Sequence, residues 1–180
     1  GLSLADLVER YGPVPPARTA YILRQVCASL WEAHSCGLVH RDIKPQNVML
    51  CDIRGERDVV KVLDFGLVKQ MSGEQTRDLT STMRILGTPL YMSPERIRNP
   101  SDADGRADIY ALGAVMYEMV AGEPPFTGPT ARSIITRSLT EAPRSLTVSR
   151  SGLSASVDSA IMKALAKSPA DRYANAQQMV

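Results

Sequence analysis

Three polar side chains whose chemistry suits phosphoryl transfer lie close together in one short stretch of the chain. Residues 40–47 read His-Arg-Asp-Ile-Lys-Pro-Gln-Asn and include the carboxylate of Asp42, the ammonium of Lys44 and the amide of Asn47. A carboxylate can orient an attacking hydroxyl group and accept its proton, a cation offsets charge on the transferred group, and an amide oxygen can help to hold Mg²⁺. Pro45 stiffens the stretch because its ring fixes φ. The spacing predicts a loop that performs this chemistry.

A second motif, Asp64-Phe65-Gly66, follows an apolar run further along the chain. Together with residues 40–47, it resembles the catalytic motifs of the eukaryotic-type protein kinases, and most closely those of their bacterial serine/threonine members. Within the first motif the chain departs from the usual pattern only at Ile43, where Leu is more common.

The resemblance implies a role for each polar residue of the two motifs. Asp42 would be the catalytic base, and Lys44 would act beside it on the transferred phosphate. Asn47 and Asp64 would bind Mg²⁺, with Mn²⁺ as an alternative, and would thereby help to hold ATP. Met49, in the strand-like run after the loop, would lie beneath the adenine ring.

Several further residues match structural positions of the family, namely His40, Arg41, Phe65, Gly66, Glu95, Asp108 and Arg172. The resemblance implies that His40 packs under Phe65 and that Asp108 braces the catalytic loop from below. It also implies an ion pair between Glu95, in Ser-Pro-Glu, and Arg172. The only other histidine, His34, lies on a predicted helix, where a packed and hydrogen-bonded side chain is the expected role.

Residues 64–95 match the activation segment of the family. The central part is polar and shows no periodicity, which predicts a long loop. Thr80 and Thr82 lie where bacterial relatives phosphorylate themselves, and Arg41 would receive such a phosphate. Thr88 matches the strip that docks the substrate. Thr88 and Lys44 follow the serine/threonine pattern and not the tyrosine one, so protein Ser and Thr residues are the expected acceptors.

The composition is that of a soluble globular domain. The chain has 180 residues, 44% apolar and 22% charged, with a net charge of +2, so nucleic acid is not an expected partner. No apolar run approaches the ~20 residues of a membrane span. The three cysteines have no paired spacing and are expected to be reduced thiols. These features predict a cytoplasmic domain, and leave open a membrane tether elsewhere in a longer protein.

The patterning predicts a mainly α fold with short β-hairpins, an α+β arrangement of the protein-kinase type. A capping box at Ser3 predicts a helix over 4–10, and Pro16 opens a long helix ending near Gly37 whose apolar face includes Trp31. The remaining predicted elements are strands 48–51 and 59–63 around a charged turn, an apolar helix from Asp108 to Gly122, helices over 131–139, 156–166 and from 175 onward, and a loop over 143–152.

The chain shows no Gly-rich phosphate loop and no strand Lys with its Glu partner, which the smaller lobe of the family carries. We therefore interpret residues 1–180 as the C-terminal lobe of a protein kinase catalytic domain, with the small lobe absent. The missing lobe is expected as a covalent partner in a longer protein, and the chain alone is expected to be inactive.

Two other functions are compatible with parts of this pattern. A pseudokinase or scaffold would bind partners without chemistry, but such proteins typically lose the base or a metal ligand, and Asp42, Asn47 and Asp64 are all present. A small-molecule kinase of related fold would share the catalytic loop but would lack the Ser-Pro-Glu segment found at 93–95.

Overall fold

A computed structural model describes residues 1–65, 89–150 and 152–179. In these ranges the chain forms seven α-helices and one three-stranded antiparallel sheet, so the predicted mainly α architecture is confirmed. In chain order the elements are β1 (Leu2–Ser3), α1 (Leu4–Tyr11), α2 (Pro16–Ser35), β2 (Val48–Ile53), β3 (Glu56–Val62), α3 (Pro94–Arg98), α4 (Gly105–Ala121), α5 (Ala131–Thr140), α6 (Leu146–Ser149) and α7 (Ala155–Ala164). Within those ranges, no helix is at once long and apolar enough to cross a membrane.

The apolar helix α4 forms the centre of the core. It is buried almost all round, as predicted, because a helix without a polar face is stable only when surrounded by protein. It packs closely on α7, since a Cβ at Gly113 would lie 2.8 Å from the Cβ of Ala164. The helix ends at Gly122, whose φ of +87° is the left-handed conformation typical of a helix terminus.

The two N-terminal helices begin where the sequence predicts. The Ser3 hydroxyl accepts the amide N–H of Asp6 at 3.0 Å, and the Asp6 carboxylate accepts the amide of Ser3, which completes the capping box of α1. Helix α2 starts at Pro16 and buries Leu30 completely. The prediction for Trp31 is wrong, because this side chain lies at the edge of the buried face and is 39% exposed.

The hairpin of β2 and β3 is longer than predicted. The whole of the charged stretch 52–58 was predicted to be the turn, but most of it extends the two strands, and only Arg54 and Gly55 form the turn. Both turn residues have positive φ, 53° and 85°, as a tight type I′ hairpin requires. Polar side chains are compatible with these strand ends because they remain exposed or half-buried.

The predicted loop over 143–152 contains a short helix, α6. Leu146 at its start is fully buried, and the Asp158 carboxylate accepts the Leu146 amide at 2.7 Å and the Ser145 hydroxyl at 2.9 Å. This cap comes from α7 and is not visible in the local sequence. The last predicted helix is also wrong in type, because Ala176–Met179 forms a 3₁₀ turn.

The three cysteines are free thiols, as predicted. Cys27 lies in the core, and burial raises the pKa of its thiol to about 12, so it packs there as a small apolar side chain.

Candidate active site

The loop after α2 brings the three predicted chemical groups into direct contact. The Asp42 carboxylate accepts a hydrogen bond from Lys44 Nζ at 2.8 Å. The Asn47 amide nitrogen donates to the Asp42 carbonyl at 2.9 Å and, more weakly, to its carboxylate at 3.3 Å. Asn47 is buried, whereas the side chain of Asp42 is 42% exposed and that of Lys44 is 31% exposed. The carboxylate is therefore held in place on one side and open to a substrate on the other.

His40 supports this loop from inside. Its Nδ1 accepts the amide N–H of Asp42 at 3.2 Å, so its Nε2 carries the hydrogen and donates to the Leu63 carbonyl at 2.8 Å. The His40 ring also packs on Phe65, with 4.7 Å between the ring centroids. His40 thereby joins the loop of residues 40–47 to the segment that contains Asp64.

Asn47 and Asp64 lie at the same end of the β2–β3 hairpin. The amide of Leu63 donates to the Asn47 carbonyl at 2.8 Å, which continues the pairing of Val48 with Val62. Asp64 follows at once, exposed and with a φ of +59°. Because the Asn47 nitrogen is directed at Asp42, its Oδ1 remains available, and no described residue donates to it. An amide and a carboxylate oxygen are ligands suited to Mg²⁺, so these residues fit such an ion.

Asp108, in the first turn of α4, binds the backbone at the start of the loop. Its carboxylate accepts the amides of His40 and Arg41, both at 2.8 Å, and the ring Nε2–H of His34 at 2.9 Å. Asp108 is 1% exposed, so these donors replace the water that the charge would otherwise need. Arg41 adopts a φ of +65°, which is uncommon for a residue other than Gly.

Arg96 makes a contact with the loop that the sequence did not predict. It lies in α3, directly after Glu95, and its guanidinium donates to the carbonyl of Arg41. Burial lowers the pKa of Arg96, and the nearby carboxylates of Asp108 and Asp42 partly oppose that effect. The only local signal was a basic residue immediately after the Ser-Pro-Glu motif, and nothing in it indicates a partner so far away in the sequence.

The ion pair between Glu95 and Arg172 anchors α3 to the rest of the domain. The guanidinium donates two hydrogen bonds to the carboxylate, each 2.7 Å long. It also donates to the carbonyls of Ala166 and Arg106 and lies over the Tyr110 ring. The side chain of Arg172 is fully buried, so these contacts satisfy a charge that has no access to water.

The other predicted site residues are placed as follows. Met49 is half-buried in the central strand β2, and strand alternation directs it to the sheet face opposite that of the buried Val48 and Leu50. The predicted residues Gly66, Thr80, Thr82 and Thr88 lie outside the described residues.

The chain is similar to curated bacterial serine/threonine-protein kinases. It is 38% identical over 179 residues to PknB of Mycobacterium tuberculosis, 42% identical over 180 residues to PknL of the same species, and 39% identical over 183 residues to a probable serine/threonine-protein kinase of Corynebacterium efficiens. Each match covers 99% of this chain, which spans 28%, 43% and 27% of these relatives, respectively.

A solved structure and a family model agree with these relatives. The crystal structure of Rad53 in complex with AMP-PNP superimposes with a TM-score of 0.77 at 26% identity, over 99% of this chain and 43% of that one. The family model described as protein kinase domain matches residues 1–180. The whole of this chain therefore belongs to the protein kinase domain family.

Proposed function

We propose that this chain is the large catalytic lobe of a serine/threonine protein kinase, which transfers the γ-phosphoryl group of ATP to Ser and Thr hydroxyls of proteins. The observation that carries the proposal is the contact of the half-exposed Asp42 carboxylate with Lys44 and Asn47, at the end of the hairpin from which Asp64 emerges. The names of the relatives support Ser and Thr as acceptors.

Asp42 is the group that receives the substrate hydroxyl. Its carboxylate orients the hydroxyl and accepts its proton as the oxygen attacks phosphorus. The ammonium of Lys44, 2.8 Å from the carboxylate, holds it in position and offsets negative charge on the phosphoryl group. The Asn47 amide fixes the other side of Asp42 and thus limits the orientations that the base can adopt.

The oxygens of Asn47 and Asp64 would hold Mg²⁺, which neutralises charge on the phosphates when it is bound. Met49 offers an apolar surface on the outer face of the sheet, where the adenine ring would lie. The solved neighbour contains AMP-PNP, which supports a nucleotide as the phosphoryl donor.

Other parts of the kinase would complete the site. A smaller lobe with a Gly-rich loop and a Lys would cover the nucleotide, and the greater length of the relatives supports its presence in a longer protein. In the activation segment, residues 64–95, phosphorylation of Thr80 or Thr82 would order the loop against Arg41, and Thr88 would contact the substrate.

Identification of the acceptor hydroxyl tests this function. The complete protein, given ATP, Mg²⁺ and a peptide library, is expected to produce phosphoserine and phosphothreonine. The Asp64→Asn variant should lose this activity, because a negatively charged ligand of the metal is removed. The matched variant Asp52→Asn, at an exposed strand position, should retain it. Phosphotyrosine as the main product, or phosphate on small molecules alone, would refute the proposal.

A further inference from the structure

The peptide bond between Arg41 and Asp42 is held at both of its polar atoms. Its N–H donates to Nδ1 of His40 at 3.2 Å, and its carbonyl accepts a hydrogen bond from the guanidinium of Arg96. We propose that Arg96 is a positioning residue, which fixes this peptide bond and thereby aims the Asp42 carboxylate at the acceptor hydroxyl. This inference rests on the function proposed above.

The backbone at this point needs external support. Arg41 has a φ of +65°, a conformation that a residue with a Cβ rarely adopts unless its surroundings impose it. Asp108 binds the amides of His40 and Arg41, which belong to the two peptide bonds on the N-terminal side of the Arg41 Cα. Among the described residues, Asp108 does not bind the carbonyl of Arg41, and Arg96 and His40 are the residues that bind the following peptide bond.

Arg96 is well placed to provide that support because its own helix is anchored. Glu95, the preceding residue, is bound by two hydrogen bonds of 2.7 Å to the fully buried guanidinium of Arg172. Arg172 is in turn bound to the carbonyls of Ala166 and Arg106. A continuous series of contacts therefore connects the core of the domain, through α3, to the residue before the base.

The charges around Arg96 keep the contact in place. The carboxylates of Asp108, Asp42 and Glu95 favour its positive charge and raise the pKa of Arg96, whereas the guanidinium of Arg41 lowers it. Burial lowers the pKa of Arg96, but an arginine starts from a value so high that it stays protonated at any physiological pH. The contact should thus be equally present across the working range of the enzyme.

The test compares three variants of the complete protein, namely Arg96→Met, Arg96→Lys and the control Arg98→Met. Arg98 is exposed at the end of the same helix and forms no hydrogen bond with the described residues of the loop, so it controls for loss of a charge from α3. Two quantities are measured, the steady-state kinetics with ATP and a Ser/Thr peptide, and the amide hydrogen exchange of residues 39–44.

Arg96→Met is expected to lower kcat about 10- to 100-fold, since misplacement of a catalytic group by about 1 Å can reduce the rate by that factor. The KM values for ATP and peptide should change less than about threefold. Exchange over 39–44 should be faster in this variant and unchanged in Arg98→Met. Arg96→Lys keeps the charge and a donor, so its kcat should be intermediate. It also gives a second measurement if the Met variant does not fold.

The two readouts separate this proposal from the proposed function. Unchanged exchange in both Arg96 variants would show that Arg96 does not fix the peptide bond between Arg41 and Asp42, whatever the activity. Faster exchange with an unaltered kcat would overturn its role in positioning the base. If the wild-type protein transfers no phosphate, the proposed function fails and Arg96 positions no catalytic base, even if exchange shows that it holds the loop.

Discussion

At the scale of single residues, the ion pair between Glu95 and Arg172 links stability to pH. Burial raises the pKa of the Glu95 carboxyl, but the hydrogen bonds and charge of Arg172 outweigh that effect, and the net result is a lowered pKa. A carboxyl group whose pKa is lower in the folded than in the unfolded state stabilises the fold at pH values above its ordinary pKa of 4.5. This contribution is lost as the pH falls through the lower pKa of the folded state.

The first residue-scale prediction is that Arg172→Met lowers the free energy of unfolding by about 3–5 kcal/mol, because it leaves the largely buried Glu95 carboxylate without its partner. Urea denaturation at neutral pH measures this loss. The exposed pair Arg137 and Glu141 provides a control, and Arg137→Met should cost no more than about 1 kcal/mol. Equal losses at the two sites would contradict the account.

The same pair predicts a pH effect. In Glu95→Gln, stability should fall less steeply than in the wild-type protein as the pH decreases below about 4.5, since the group that takes up the proton is gone. Urea denaturation repeated from pH 7 to pH 3 makes the comparison. If the free energy of unfolding falls with pH equally in the two proteins, Glu95 contributes nothing to acid sensitivity.

Residues close together in sequence could be predicted with their contacts, whereas distant ones could not. Asp42, Lys44 and Asn47 share one short loop, so their residue types and spacing alone indicate a common site. The contact of Arg96 with Arg41 joins points 55 residues apart and depends on how α3 folds back on the loop. Glu95 and Arg172 were paired only through the resemblance to a family, because no periodicity relates positions that distant.

At the scale of elements, the close approach of α4 and α7 depends on Gly113. A methyl group there would lie 2.8 Å from the Ala164 Cβ and 3.3 Å from a Leu165 carbon, and neither helix can move without disturbing the core. Gly113→Ala is therefore expected to destabilise the fold by about 1–3 kcal/mol, although Ala favours helix more than Gly does.

A double-mutant cycle tests that contact. Ala164→Gly alone should cost about 1 kcal/mol, but combined with Gly113→Ala it removes the clash, so the double variant should be more stable than the sum of the two changes predicts. Thermal unfolding of the four proteins gives the coupling energy. Strict additivity would mean that the helices are not in contact at this point.

Elements whose signals are local were predicted well. The capping box of α1 and the uniformly apolar surface of α4 each identify a helix from its own residues. The hairpin was predicted, but the length of its strands and the presence of α6 were not, because their signals are not local. The charged residues 52–58 are typical of a turn, and only the pairing between the strands makes most of them part of β2 and β3. Helix α6 is capped by Asp158, which lies on another helix.

At the scale of the whole molecule, the proposal is that the described residues form one side of the nucleotide site. The chain contains no Gly-x-Gly-x-x-Gly motif to cover the phosphates. We expect residues 1–180, expressed alone, to bind Mg-ATP no more tightly than about 1 mM, equivalent to about 4 kcal/mol, and to show no autophosphorylation. Calorimetry measures the affinity, with the complete protein as the control. Micromolar binding by the isolated chain would show that it binds the nucleotide without a smaller lobe.

Asp42 is the proposed catalytic base, and the most direct test of that role is the rate of phosphoryl transfer by Asp42→Asn in the complete protein. The Asn side chain keeps the size of the carboxylate but cannot accept the proton, so kcat should fall by about 10²–10⁴ while the KM for ATP changes little. Asp52→Asn, the same substitution at an exposed position of β2, should leave kcat unchanged. Near-normal turnover in Asp42→Asn would contradict the central claim.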